Sequence, residues 1–201
     1  IDGYFQHRIR TAKPDLRFIF PNRLTDIYNP LMAIEIFNKA LDFIPQATLT
    51  MNAVGELRQE CETLILDLNL SMKVNFLDHL KAWSDLDAVY AGSDIMIFPA
   101  KFSNGNLTIH DAMASGMGII LSNKILGIDG VFEHEKTGFI CNLDIDEFVT
   151  RIRQFVEQPE LFDTFAKNSR RAVRKLTVSE TAKLFAEHII DIVRSDCENG
   201  K

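Results

Sequence analysis

No apolar run in this chain is much longer than a β-strand, and its start lacks a charged segment followed by an apolar one, so neither a membrane-spanning helix nor a secretory leader is expected. A peripheral contact with a membrane surface stays open. Cysteine is scarce. Cys61, Cys141 and Cys197 are the only three in 201 residues, and they lack paired or ligand spacing. This excludes a disulfide scaffold and a cysteine-held metal, and points to packed, reduced thiols in a cytoplasmic setting. Positive charge is also short: the formal net charge of -6 argues against a nucleic-acid surface, which needs clustered Lys and Arg. One basic cluster exists, Arg170, Arg171, Arg174 and Lys175. It is expected to form a solvated helix face, with anionic lipid or another domain as the sharper alternative. Glu133, His134 and Glu135 lack ligand spacing and read as solvated loop charge, so no metal is expected. Internal repeats and low-complexity segments are absent.

What is present is enough apolar content, 46% of the residues, to bury one sizeable core. Strand and helix patterns alternate: strand Leu16 to Phe20, helix Pro30 to Phe43, strand Ala47 to Val54, helix Glu56 to Leu68, strand Lys73 to Phe76. That order predicts an α/β fold, a doubly wound parallel sheet with helices on both faces, followed past Cys141 by C-terminal helices. Asn29 before Pro30 predicts a capped helix start. Asp144 with Glu147, and Thr177 with Glu180, have capping-box spacing. Phe148, Ile152 and Phe155 form one apolar stripe, and Ala182, Phe185, Ile189 and Val193 another; both are expected in the core.

The segment from Phe102 to Gly116 carries most of the functional information. Asp94 to Pro99 reads as a buried parallel strand, stopped by Pro99, which has no backbone donor. Ser103, Asn104, Gly105 and Asn106 are turn and cap residues, and Leu107 to Ser115 follows in helical order with Gly116 as its stop. A strand entering a helix through such a loop leaves N–H groups at the positive end of the helix dipole, where an anion is stabilised. Most strand-to-helix loops of a doubly wound protein bind nothing, so shape alone does not decide the point.

This segment resembles the signature of the retaining glycosyltransferases of the GT-B fold known as glycosyltransferase group 1. Asp111-Ala112-Met113-Ala114-Ser115-Gly116 is similar to the family's Glu-Ala-Met-Ala-x-Gly, and Ser103 falls where the family has its first glutamate. The resemblance continues in order along almost the whole chain. Pro21-Asn22-Arg23-Leu24 resembles the family's Gly-Arg-Leu strand end, Tyr28 stands where it has a lysine, and Val74 to Leu77 resembles the strand near the nucleotide base. Gly118 to Ser122 and Lys136 to Ile140 are similar to later family segments, and Ile1-Asp2-Gly3 to an Asn-Gly-Ile-Asp segment after the interdomain linker. The resemblance implies a single Rossmann-like domain over residues 1–201 that binds a nucleotide-sugar donor as substrate, with no cofactor. The acceptor, a glycan or lipid-linked glycan, would be bound by an N-terminal domain outside this chain; a natural short protein is the alternative.

The resemblance also implies roles for residues. Arg23 would grip the diphosphate with its planar cationic fork. Gly105, Asn106, Leu107 and Thr108 would hold it through backbone N–H groups, and Thr108 also through its hydroxyl. Asp111 would accept hydrogen bonds from the ribose hydroxyls. Ser103 would lie beside the donor sugar without the charge of the family's glutamate, and Asn104 is counted with the substrate-binding residues of the same loop. His110 and Asp111 are not expected to act as an acid–base pair, because neighbours on a helix point apart. No catalytic residue is assigned. Losing the cation at Tyr28 and the carboxylate at Ser103 leaves three readings: a transferase with a drifted site, a non-catalytic binding or scaffold subunit of the same fold, and, with a poorer match, a nucleotide-sugar epimerase.

Overall fold

The structure, a computed structural model, describes residues 10, 13–78, 85–105 and 107–199. Among these residues eight strands and seven α-helices run in the order β1 (Arg17–Phe20), α1 (Pro30–Ala40), β2 (Thr48–Asn52), α2 (Arg58–Asp67), β3 (Val74–Leu77), α3 (Asp85–Gly92), β4 (Ile95–Phe98), β5 (Ser103–Asn104), α4 (Leu107–Ser115), β6 (Gly118–Ser122), β7 (Ile125–Leu126), β8 (Phe139–Cys141), α5 (Ile145–Glu157), α6 (Glu160–Val173) and α7 (Val178–Asn199). Six strands form one parallel sheet in the order β3-β2-β1-β4-β6-β8, and β5 with β7 forms a small parallel pair beside it. The expected doubly wound parallel sheet is therefore present.

The central strands β4 and β6 are buried at every residue, as continuous apolar runs covered on both faces must be. Helices α1, α2 and α5 pack together in one layer, and α3, α4 and α6 in the other. At the β8 edge the Phe139 ring meets those of Phe155 and Phe165 at 5.3 and 5.2 Å between centroids, and Phe155 meets Phe162 at 4.7 Å. The stripe of Phe148, Ile152 and Phe155 is wholly buried there. No helix among the described residues is long and apolar enough to cross a membrane.

Several local expectations are corrected. Asn29 occupies the α1 cap position in a left-handed conformation, φ 60°, and its side chain caps nothing; its carbonyl accepts from Ala33 N instead. Asp144 does cap α5, accepting from Glu147 N at 2.9 Å, but Glu147 reaches back to Asn142 rather than to Asp144. Thr177 does not start a capping box: its hydroxyl donates backwards to Arg174 O at 3.0 Å, and no bond between Thr177 Oγ1 and Glu180 N occurs among the described residues. Ala182, Phe185 and Ile189 of the second apolar stripe are not core: α7 is exposed on every face from Val178 to Ile190, Phe185 being 68% exposed, and the side chain of Val193 lies outside the described residues. Arg170 is not a solvated cation, since it is half-buried and donates to Ala114 O and Ser115 O at the end of α4.

Arg170 shares that helix end with Arg10, which is buried and donates to Ser93 O at 2.7 Å, to Tyr90 O at 2.9 Å and to Ser115 O. The two guanidinium groups satisfy carbonyls that end α3 and α4, where a helix leaves acceptors unpaired and a cation is favoured. Burial lowers the pKa of Arg10 to about 10; nearby Asp94 opposes the shift and Arg170 adds to it.

Candidate functional site

The sheet order reverses between β1 and β4, so the chains leaving these neighbouring strands turn opposite ways and open a crevice at the carboxyl edge of the sheet. One wall is the segment after β1, which carries Asn22 and Arg23 and a 3-10 turn at Asp26–Tyr28. The other is the segment after β4, which leads through β5 into α4. Tyr28 lies against Phe98 with ring centroids 5.7 Å apart, and Lys101 N donates to Ile27 O at 2.8 Å, so the two walls are fixed to each other. Thr108 Oγ1 donates to Asn22 Oδ1 at 3.1 Å, joining the first turn of α4 to the β1 loop.

Between them lies a cleft of about 460 Å³ lined by Ile27, Tyr28, Phe102, Ser103, Asn104, Gly105, Leu107 and Thr108. That volume is in the range of small-molecule sites, which are mainly apolar with a few placed polar groups. Among the described residues the lining carries no formally charged side chain, and its apolar members Ile27, Phe102 and Leu107 stand open to solvent.

Ser103, Asn104, Gly105, Leu107 and Thr108 of the sequence-predicted set thus come together in one cleft. Asn106 lies outside the described residues. Ser103 is buried and pairs with Ile125 in the β5–β7 ladder. Gly105 adopts φ +64°, a left-handed turn that favours glycine, and a Cβ there would meet nothing within 4 Å. Its N–H donates to Leu126 O at 3.2 Å, which engages one of the amides expected to face an anion. The Thr108 proton is likewise directed to Asn22. Leu107, counted in the apolar pattern of its helix, faces the cleft, while Ile109, Ala112 and Met113 fill the core.

Arg23 and Asp111 are not among the residues lining the cleft. Arg23 is exposed on the β1 loop, with no side-chain hydrogen bond or ion pair among the described residues. Asp111 lies one turn below Leu107 and Thr108, half-buried, and burial pushes its carboxyl up to about 6. His110 beside it has its pKa lowered by burial. No group of three or more His, Cys, Asp or Glu able to hold a metal occurs among the described residues. His134 is used structurally, its Nδ1 accepting from Ile140 N at 2.9 Å, and Glu133 pairs with Lys136 at 2.5 Å. Cys61 and Cys141 are buried and unpaired, and burial pushes their thiols up to about 11 and about 12. The side chain of Cys197 lies outside the described residues.

Sequence reasoning missed Ile27 as a wall of the cleft, the Asn22–Thr108 bond and Lys101. No local pattern marks them, because each pairs positions far apart in the chain.

A doubly wound domain with its crevice at the topological switch point is the class these features define. The chain belongs to the glycosyl transferases group 1, whose family model matches residues 5–172. It is 28% identical over 127 residues to a glycosyltransferase of Haemophilus influenzae, covering 63% of this chain and 35% of that one. It is 26% identical over 161 residues to the UDP-Gal:alpha-D-GlcNAc-diphosphoundecaprenol alpha-1,3-galactosyltransferase of Escherichia coli, covering 78% and 40%. The chain therefore spans less than half the length of these relatives. Among solved structures, Anabaena HepE in complex with UDP superposes with a TM-score of 0.76 at 19% identity, over 89% of this chain and 49% of that one. The fold is the Rossmann-like half of the GT-B architecture.

Proposed function

We propose that this chain is the donor-binding domain of a glycosyltransferase, holding a nucleotide-sugar in the cleft between the β1 and β4 loops. The observation that carries the reading is the position of that cleft: it sits at the switch point and is lined by the loop that enters α4. On this reading the diphosphate lies against the first turn of α4, with Leu107 and Thr108 offering N–H groups and Arg23 closing over the phosphate oxygens. Negative charge grows on the diphosphate as the sugar leaves, and donors fixed in advance stabilise it. The sugar lies toward Ser103 and Asn104, and Asp111 serves the ribose. The donor is a substrate and no separate cofactor is invoked. A glycan or lipid-linked acceptor enters from a part of the polypeptide outside this chain, in the cytoplasm or at a membrane surface. Similarity to a UDP-galactose enzyme and to a UDP-bound structure supports a nucleoside diphosphate as the anchoring group.

A thermal-shift panel of nucleoside diphosphates against their nucleosides tests the reading, since a ligand that binds only the folded state raises its stability. At least one diphosphate is expected to raise the melting temperature where its nucleoside does not, and Arg23→Ala to remove most of the difference. Equal effects of diphosphate and nucleoside, or none, would reject it. The uncharged lining of the cleft favours a second reading, a binding subunit without turnover. Donor binding without transfer when this domain is joined to its acceptor half separates the two.

A further inference from the structure

A diphosphate brings more than one negative charge into a cleft whose lining, from Tyr28 to Thr108, offers none of the opposite sign. Among the described residues, the cations nearest in sequence to this lining lie on the two loops that form the walls. Between Pro21 and Asn29 the one cation is Arg23, and between Pro99 and Asn106 the one cation is Lys101. Lys101 precedes Phe102, a lining residue, and its Nζ lies 2.5 Å from Asp26 Oδ1, on the residue before Ile27, another lining residue. The ion pair thus bridges the two walls at the rim of the cleft.

It is an exposed pair, the Lys101 and Asp26 side chains being 46% and 74% open to solvent, and such pairs contribute little to stability. The walls do not depend on it, because the bond from Lys101 N to Ile27 O and the Tyr28–Phe98 contact hold the same two segments. A carboxylate is also unfavourable beside a bound diphosphate, since like charges repel. Resting on the donor reading above, we propose that Lys101 is a diphosphate-binding residue and Asp26 its resident counter-ion. When the nucleotide enters, the Lys101 ammonium exchanges the Asp26 carboxylate for phosphate oxygens. The ammonium is thereby kept extended across the rim, and Asp26 sets a threshold that monoanionic ligands do not overcome.

If the pair were only a staple between two loops, removing either partner would act in the same direction. If Lys101 serves the ligand, the two removals act in opposite directions. Calorimetric titration of UDP, GDP, ADP and inorganic pyrophosphate into the wild-type chain, Lys101→Gln, Asp26→Asn, Arg23→Ala and Lys167→Gln decides between them. Lys167 forms a similar exposed pair with Asp163 on α6 and controls for net charge. Lys101→Gln is expected to weaken the tightest-binding diphosphate about tenfold, the scale of one charge-assisted hydrogen bond. Asp26→Asn should tighten it severalfold, and Lys167→Gln should leave it unchanged. Parent nucleosides should be indifferent to all four substitutions. If Arg23→Ala weakens binding but Lys101→Gln does not, or if Lys101→Gln and Asp26→Asn weaken it alike, the proposal falls and the donor reading stands. If none of the four probes binds the wild-type chain, both fall.

Discussion

Burial pushes the Asp111 carboxyl up to about 6, and Asp87 on the neighbouring helix α3 adds to the shift. Between its ordinary value of 3.8 and about 6 the folded state holds a proton that the unfolded state has released, so stability falls as pH rises through that window and stays lower above it. Asp111→Asn removes the ionisation. Urea unfolding should show the variant more stable than wild type at pH 7 by on the order of 1 to 2 kcal/mol, allowing for partial exposure, with the gap mostly closed by pH 4. An unchanged gap across that range would mean that Asp111 does not cause it. The same substitution should weaken ribonucleotides more than their 2′,3′-dideoxy analogues, a stability gain set against function. Equal losses for both ligands would remove the ribose role. Residues of this kind were legible when they lay in one contiguous stretch: five of the lining residues fall between Ser103 and Thr108. The contacts that reach across to the opposite wall, from Asn22 to Thr108 and from Lys101 to Asp26, join positions 86 and 75 apart, and no local spacing encodes them.

Elements with their own start and stop signals were read closely. The expected helix Leu107 to Ser115 matches α4, because Gly116, at φ +70°, ends it. Elements whose character depends on a partner were not. The period of Phe185 and Ile189 shows that α7 is amphipathic, yet periodicity cannot show whether anything covers the apolar stripe, and in this structure that stripe is exposed. Ending the chain after Leu176 is therefore expected to shift the melting temperature by no more than about 3 °C. A loss of several kcal/mol would show that α7 packs on the domain. The ends of α3 and α4 should behave in the opposite way. Arg10→Met leaves carbonyls of Tyr90, Ser93 and Ser115 without that donor, and a cost of roughly 2 to 4 kcal/mol in urea unfolding is expected. A cost under about half a kcal/mol would mean that water replaces the guanidinium without penalty.

At the scale of the whole molecule, the alternation of strand and helix patterns was enough to predict the doubly wound sheet, because buried parallel strands joined by right-handed crossovers leave few arrangements open. What alternation does not specify is the content of the crevice, which depends on side chains that the topology brings together from distant loops. The chain belongs to group 1 and spans 35% and 40% of two of its relatives, and on the proposed reading it is the donor-binding part. Transfer needs an acceptor positioned across the cleft and water excluded from it, so the 201-residue chain is expected to bind donor without turning it over. Sugar transfer by this chain alone at ordinary enzyme rates would refute that division of labour. The central claim, that the switch-point cleft is the diphosphate site, is tested most directly by recording backbone amide shifts during an NMR titration. The ligand would be whichever nucleoside diphosphate raises the melting temperature most. The largest changes are expected in two segments distant in sequence, Asn22 to Tyr28 and Ser103 to Thr108, with little change in the groove between α1 and α2 lined by Glu35, Gln59 and Thr63. Saturable shifts confined to that groove, with both cleft segments silent, would contradict it.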